Sequence, residues 1–100
     1  MTDLHGTIDD RFEPLARILH QQLDNGYDLG ASLAVAVDGE IVTDCWGGWA
    51  DEAQTQPWES DTITNVWSTT KTMTALSALL LIDRGQLDPN EKVAAYWPEF

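Results

Sequence analysis

From Met73 to Ile82 the chain places apolar residues at Met73, Ala75, Leu76, Ala78, Leu79, Leu80, Leu81 and Ile82. A helix over these positions has no polar face for more than two turns, and such a helix must be enclosed by protein. Arg84-Gly85 end the pattern and Asp88-Pro89 prevent its resumption, so the helix is expected over 68–84. The remainder of a 100-residue chain offers one amphipathic helix and one hairpin, too little to wrap it. The sequence is therefore expected to be the N-terminal portion of a longer polypeptide, in preference to an extensive oligomer. Trp46, Trp49, Trp58, Trp67 and Trp97 point the same way, because they bring more bulky surface than a domain this size usually buries.

The organisation before that helix follows from changes of period. Phe12, Leu15, Ala16, Leu19 and Leu23 recur at three- and four-residue spacing, with Asp9, Asp10 and Glu13 early and Asn25-Gly26 at the end. This predicts an amphipathic helix over 8–25, its regular part starting near Pro14. Ser32–Val37, the turn pair Asp38-Gly39 and Glu40–Trp46 then predict a hairpin over 30–49. Gly47-Gly48 interrupt its second arm, as a bulge or a close backbone approach would require. A phosphate loop is the competing reading of those glycines, but no Lys-Ser/Thr follows them. Residues 50–64 read as a loop and 86–100 as a tail.

Charge and cysteine content exclude several functions. Five Lys plus Arg against seventeen Asp plus Glu give a formal charge of −12, which opposes nucleic-acid binding and adhesion to anionic membranes. Met1–Asp10 has no apolar run and does not read as a signal peptide. Ala75–Ile82 is too short to span a bilayer. Cys45 is the one cysteine, so it makes no internal disulfide, and with only His5 and His20 it builds no metal site. A cytoplasmic protein without metal or cofactor is expected.

The residues that could carry chemistry are Ser68-Thr69-Thr70-Lys71, where the loop gives way to the apolar helix. Helical positions three apart share a face, so the Ser68 hydroxyl and the Lys71 amine can meet. A serine becomes nucleophilic when a neighbouring base accepts its proton, and a lysine can serve when its surroundings disfavour the ammonium form. A helix N-terminus does disfavour a cation, and burial adds to that. The same field suits a hydroxyl losing its proton, and the Ser68 backbone amide is placed to act as one oxyanion donor. The plainer alternative makes Ser68 an N-cap and Lys71 a solvated first-turn residue. The chemical reading requires the two side-chain tips to face each other beneath a cleft.

Around this pair the sequence runs Asn65-Val66-Trp67-Ser68-Thr69-Thr70-Lys71-Thr72-Met73-Thr74-Ala75. It continues through Leu81-Ile82-Asp83-Arg84-Gly85-Gln86-Leu87-Asp88 to Tyr96-Trp97-Pro98-Glu99-Phe100. These segments resemble the serine β-lactamase-related family, in its class C and family VIII carboxylesterase branch. The upstream hairpin resembles that family's first two strands, so the likeness spans roughly residues 8 to 100.

The resemblance implies an α/β protein of α+β type with the penicillin-recognising serine hydrolase fold. That fold is an antiparallel sheet flanked by helices, and its all-helical region and late strands are missing from this stretch. By the same resemblance Ser68 is the acyl-accepting nucleophile and Lys71 its base partner. The family's later tyrosine and its third motif are absent. Tyr27, in a loop, and Tyr96, in the structural tail, are not substitutes for that tyrosine. These residues alone are therefore expected to be catalytically incomplete. Trp67 either walls one side of the acyl site or packs. Cys45 reads as a small buried hydrophobe, and a Ser-His-Asp triad through His5 or His20 has little support.

The implied reaction is acyl transfer through an acyl-Ser68 intermediate, with small carboxylic esters as the favoured substrates. β-Lactam, D-Ala-D-Ala peptide or amide hydrolysis and acyl transfer to another acceptor are the alternatives within the fold. A catalytically silent binding or scaffold module is the alternative from another class.

Overall fold

The computed structural model describes residues 3–100. Met1 and Thr2, the first two residues of the stretch judged not to be a signal peptide, lie outside the described residues. Two compact units divide at Ile63 and Thr64.

The first unit is a three-stranded antiparallel sheet with one helix. Its elements are β1 (Leu4–Ile8), a 3₁₀ turn (Asp10–Phe12), α1 (Glu13–Asp24), β2 (Gly30–Val37) and β3 (Glu40–Gly48). The strand order is β1-β3-β2. The hairpin forms as its sequence predicts, because Asp38 and Gly39 both take left-handed backbone (φ 52° and 84°), the conformation a two-residue turn demands. Strand β1 is an addition to the sequence reading, which left residues before Ile8 without structure. Its pairing of His5 with Trp46 and Thr7 with Asp44 is long-range, and local periodicity carries no trace of that.

A bulge connects these strands to the start of the helix. Val35 pairs with Thr43 and Ala36 with Ile41, so Val42 has no partner on β2. Its carbonyl instead accepts the N–H of Asp9 at 3.0 Å. The Asp9 carboxylate accepts the Arg11 backbone N–H, Nε and Nη2, each at 2.9 Å, and so caps the 3₁₀ turn. This capped turn displaces the helix start from the expected residue 8 to Glu13, with Pro14 in the first turn. The Asn25-Gly26 stop is a Schellman motif: Gly26 N–H reaches Leu23 C=O and Tyr27 N–H reaches Gln22 C=O.

The core lies between α1 and the inward face of the sheet. Leu19, Leu23 and Cys45 are buried, with Leu4, Ile8, Ala31 and Leu33 packed around them. Ala16 is also buried, whereas Leu15 and Ile18 are exposed, so the covered stripe of α1 is narrower than its sequence pattern. Beyond the hairpin, Gly48 (φ +84°) sits where a Cβ would lie 2.3 Å from the Leu29 carbonyl oxygen, leaving no room for a side chain. Close backbone approach, one of the two roles expected of Gly47-Gly48, is the one observed. The following loop folds over Asp51, whose carboxylate accepts from Thr55 N–H, Thr55 Oγ1 and Gln56 N–H at 2.6–2.9 Å.

The second unit contains a 3₁₀ turn (Trp67–Thr69), α2 (Thr70–Asp83) and a short α3 (Val93–Tyr96). The Arg84-Gly85 stop is a second Schellman motif, from Gly85 N–H to Ile82 C=O and Gln86 N–H to Leu81 C=O. Two of the hydroxyls within α2 bond back along the helix, Thr74 Oγ1 to Thr70 C=O and Ser77 Oγ to Met73 C=O. Polar residues inside an apolar helix are thereby satisfied without a polar face. No residue of α2 is buried among the described residues. Met73, Leu76, Leu79, Leu80 and Leu81 stay between 40% and 58% exposed.

Two stability outcomes follow. Gly48→Ala should destabilise the first unit by more than about 2 kcal/mol, and Gly39→Ala, whose Cβ meets open space, by about 1 kcal/mol. Urea unfolding followed by tryptophan fluorescence measures both. The second outcome concerns pH. The Arg11 hydrogen bonds hold the Asp9 carboxyl down to about 2 from an ordinary 3.8. Depression of a folded-state carboxyl gives stability that is complete above the ordinary value and lost as pH falls toward about 2. Asp9→Asn should therefore unfold earlier than the parent near neutral pH, with the two urea midpoints converging as the buffer approaches the lower value.

Candidate active site

The backbone changes direction sharply before α2. Asn65 Oδ1 accepts the Trp67 N–H at 3.0 Å, and the Val66 carbonyl accepts the Thr69 N–H at 3.0 Å. Between these bonds Trp67 adopts φ +48°, in the left-handed region that a bulky residue rarely enters. Such a conformation costs about 1 to 3 kcal/mol and persists only where its neighbours enforce it. The 3₁₀ turn then delivers Ser68 one residue before Thr69, the position from which α2 starts.

Lys71, in the first turn of α2, donates from Nζ to Ser68 Oγ at 2.8 Å. The two tips face each other, as the chemical reading requires. The plainer N-cap role is not the one Ser68 fills, since neither the 3₁₀ turn nor α2 has a side-chain cap. The same heavy-atom separation serves a proton moving either way: an ammonium donates to Oγ, and a neutral amine accepts from the hydroxyl. Both residues are exposed, so the second requirement, a cleft above the pair, is not met by the described residues. The larger concavities of the first unit, of about 390 and 350 Å³, are lined by other residues, among them His5, Trp49 and Trp58.

The remaining candidates fall into place around this pair. Trp67 is 80% exposed, so the packing role is not supplied within these residues. Tyr96 Oη accepts the Asp88 N–H at 2.7 Å, which ties the tail to the turn after α2 and fits the structural role expected of it. Tyr27 follows α1 in the first unit and is exposed. His20 lies on α1 with Nδ1 3.4 Å from Asp24, and His5 lies on β1 opposite Trp46, both in the first unit. Asn65 was missed by the sequence reading. An Asx side chain two residues ahead of a backbone N–H is the signal that could have found it.

Three antiparallel strands with helices are the architecture of the penicillin-binding-protein-like serine hydrolase fold. The chain belongs to the beta-lactamase family, whose pattern matches residues 15–100. It is 42% identical over 95 residues to the esterase/beta-lactamase LipL of Mycobacterium tuberculosis, and 35% identical over 86 residues to the esterase EstB of Burkholderia gladioli. These matches take in 95% and 86% of the chain and 22% of each relative.

Solved structures agree on the fold. A family VIII carboxylesterase superposes with a TM-score of 0.92 at 41% identity, and a penicillin-binding protein homologue from Caulobacter crescentus with 0.90 at 40%. Each comparison covers 97% of this chain and 26% of the other. The chain thus spans about a quarter of the length of the proteins it matches. No helix among the described residues is long and apolar enough to cross a membrane.

Cys45 is fully buried in β3, and burial, reinforced by the Asp44 charge, pushes its thiol pKa up. Iodoacetamide at mildly alkaline pH should leave the native thiol unmodified over a period that alkylates the urea-unfolded chain completely. Equal rates in the two states would show that the thiol is accessible.

Proposed function

We propose that the chain is the nucleophile-bearing part of a serine hydrolase that cleaves small carboxylic esters through an acyl-Ser68 intermediate. The observation that carries this reading is the 2.8 Å bond between Lys71 Nζ and Ser68 Oγ, beside the left-handed backbone of Trp67. In the reaction, the Lys71 amine accepts the Ser68 proton as Oγ attacks the ester carbonyl carbon. The carbonyl becomes an oxyanion, and the Ser68 backbone N–H within the 3₁₀ turn is one of its donors. Collapse expels the alcohol, which takes the proton back from Lys71, and water then repeats the sequence on the acyl-serine. The exposed Trp67 indole forms one wall of the acyl site. Supporting the ester substrate are the names of the relatives, two of them esterases and one a family VIII carboxylesterase.

The cleft over Ser68, the second oxyanion donor and the family's tyrosine belong, on this reading, to the part of such proteins that these residues do not span. A cytoplasmic setting completes the proposal, supported by a single cysteine held as a buried thiol. β-Lactam turnover is the second reading, favoured by the esterase/beta-lactamase name of one relative and the penicillin-binding homologue among the structures.

Ser68→Ala in the protein carrying this segment should abolish covalent labelling by a fluorophosphonate probe, and Lys71→Met should lower kcat on a short-chain nitrophenyl ester roughly a hundredfold or more. Unchanged labelling of the Ser68→Ala protein would reject the assignment. Faster turnover of a chromogenic cephalosporin than of the ester would move the substrate to the second reading.

A further inference from the structure

Ser68 inherits its direction from the residue before it. A chain entering α2 with ordinary extended or helical backbone at position 67 would start the 3₁₀ turn at a different angle, and the Ser68 hydroxyl would leave the Lys71 amine. The left-handed φ of +48° at Trp67 is therefore a condition of the 2.8 Å bond between Lys71 and Ser68. Tryptophan opposes that φ on steric grounds, so another group must hold it. Within the turn, the Val66 carbonyl accepts from the Thr69 N–H and closes the turn across Trp67 and Ser68. The Trp67 N–H, in the same peptide group as that carbonyl, is held by a side chain, that of Asn65, whose Oδ1 accepts it at 3.0 Å.

We propose that Asn65 is a positioning residue for the nucleophile, holding Trp67 in its left-handed conformation and so aiming Ser68 at Lys71. The proposal rests on the hydrolase reading above. Asn65 makes no contact with the Ser68 or Lys71 side chain in the bonds described, and it acts through the backbone. Two features of the arrangement follow. The acceptor oxygen is what matters, so aspartate can replace asparagine. The bond also has value only while residue 67 resists φ > 0, so glycine at that position makes the acceptor dispensable.

The experiment is a set of variants of the whole protein that carries this segment, assayed on a short-chain nitrophenyl ester and by amide hydrogen exchange. Asn65→Leu should lower kcat roughly tenfold with KM nearly unchanged, and should speed exchange of the Trp67 amide by about the same factor. Asn65→Asp should restore kcat to within about twofold of the parent. In a Trp67→Gly background the cost of Asn65→Leu should fall below about twofold, the non-additivity expected of two residues serving one conformation.

Two outcomes overturn the proposal separately from the hydrolase reading. With labelling shown to depend on Ser68, an unchanged kcat in Asn65→Leu rejects the positioning role alone. An equal loss in both backgrounds, or no rescue by Asn65→Asp, also rejects it, because a general loss of folding would behave that way. Labelling that survives Ser68→Ala rejects the nucleophile and this role together.

Discussion

A serine and a lysine three residues apart become neighbours only if the chain enters the helix at the right angle, and one peptide sets that angle. At Trp67 the backbone adopts a left-handed conformation that its side chain disfavours, braced by Asn65 on one side and the first bonds of the helix on the other. Local strain of this kind has no stabilising purpose. It is kept where a side chain must project in a direction that ordinary backbone does not provide. On the positioning role proposed for Asn65, the 2.8 Å bond between the Ser68 hydroxyl and the Lys71 amine depends on it.

The first unit solves a different problem with similar economy. The covered stripe of α1 is narrow, and close contact at Gly48 brings the end of β3 against the Leu29 carbonyl. The Val42 bulge frees a carbonyl that anchors Asp9, and Asp9 in turn caps the approach to α1. Each irregularity supplies the partner for the next, so the strand edge, the 3₁₀ turn and the helix are set by one chain of bonds. None of these side chains needs to be buried for this to work.

What could be read in advance divides by range. The hairpin, both helix stops and the Ser68–Lys71 proximity were legible because each is fixed within a few residues: Asp38-Gly39 by turn chemistry, Asn25-Gly26 and Arg84-Gly85 by helix ends, the pair by helical spacing. Strand β1 was not legible, since Leu4–Ile8 becomes a strand only by pairing with residues some forty positions later. The regular part of α1 begins near Pro14 as read, but residues 8–12 were counted as helix because Asp9 resembles a first-turn charge when it is the cap of a separate turn. Asn65 was passed over for a similar reason: an amide beside an apolar residue reads as loop until its acceptor is seen on the Trp67 N–H.

The exposed faces of α2 bear on the chemistry as well as on stability. Two unit charges 4 Å apart interact by about 1 kcal/mol in water but by about 4 kcal/mol at the effective dielectric typical of a protein surface site. The field of a helix N-terminus is weakened by solvent in the same way. On the proposed reading, a Ser–Lys pair gains the electrostatics of acyl transfer only where water is excluded from it. Enclosing Met73, Leu76, Leu79, Leu80 and Leu81 would remove water from the helix that carries the pair, so one act of burial would supply both the missing stability and the missing field. On the proposed function, one covering would then serve both the apolar helix and the Ser68–Lys71 pair.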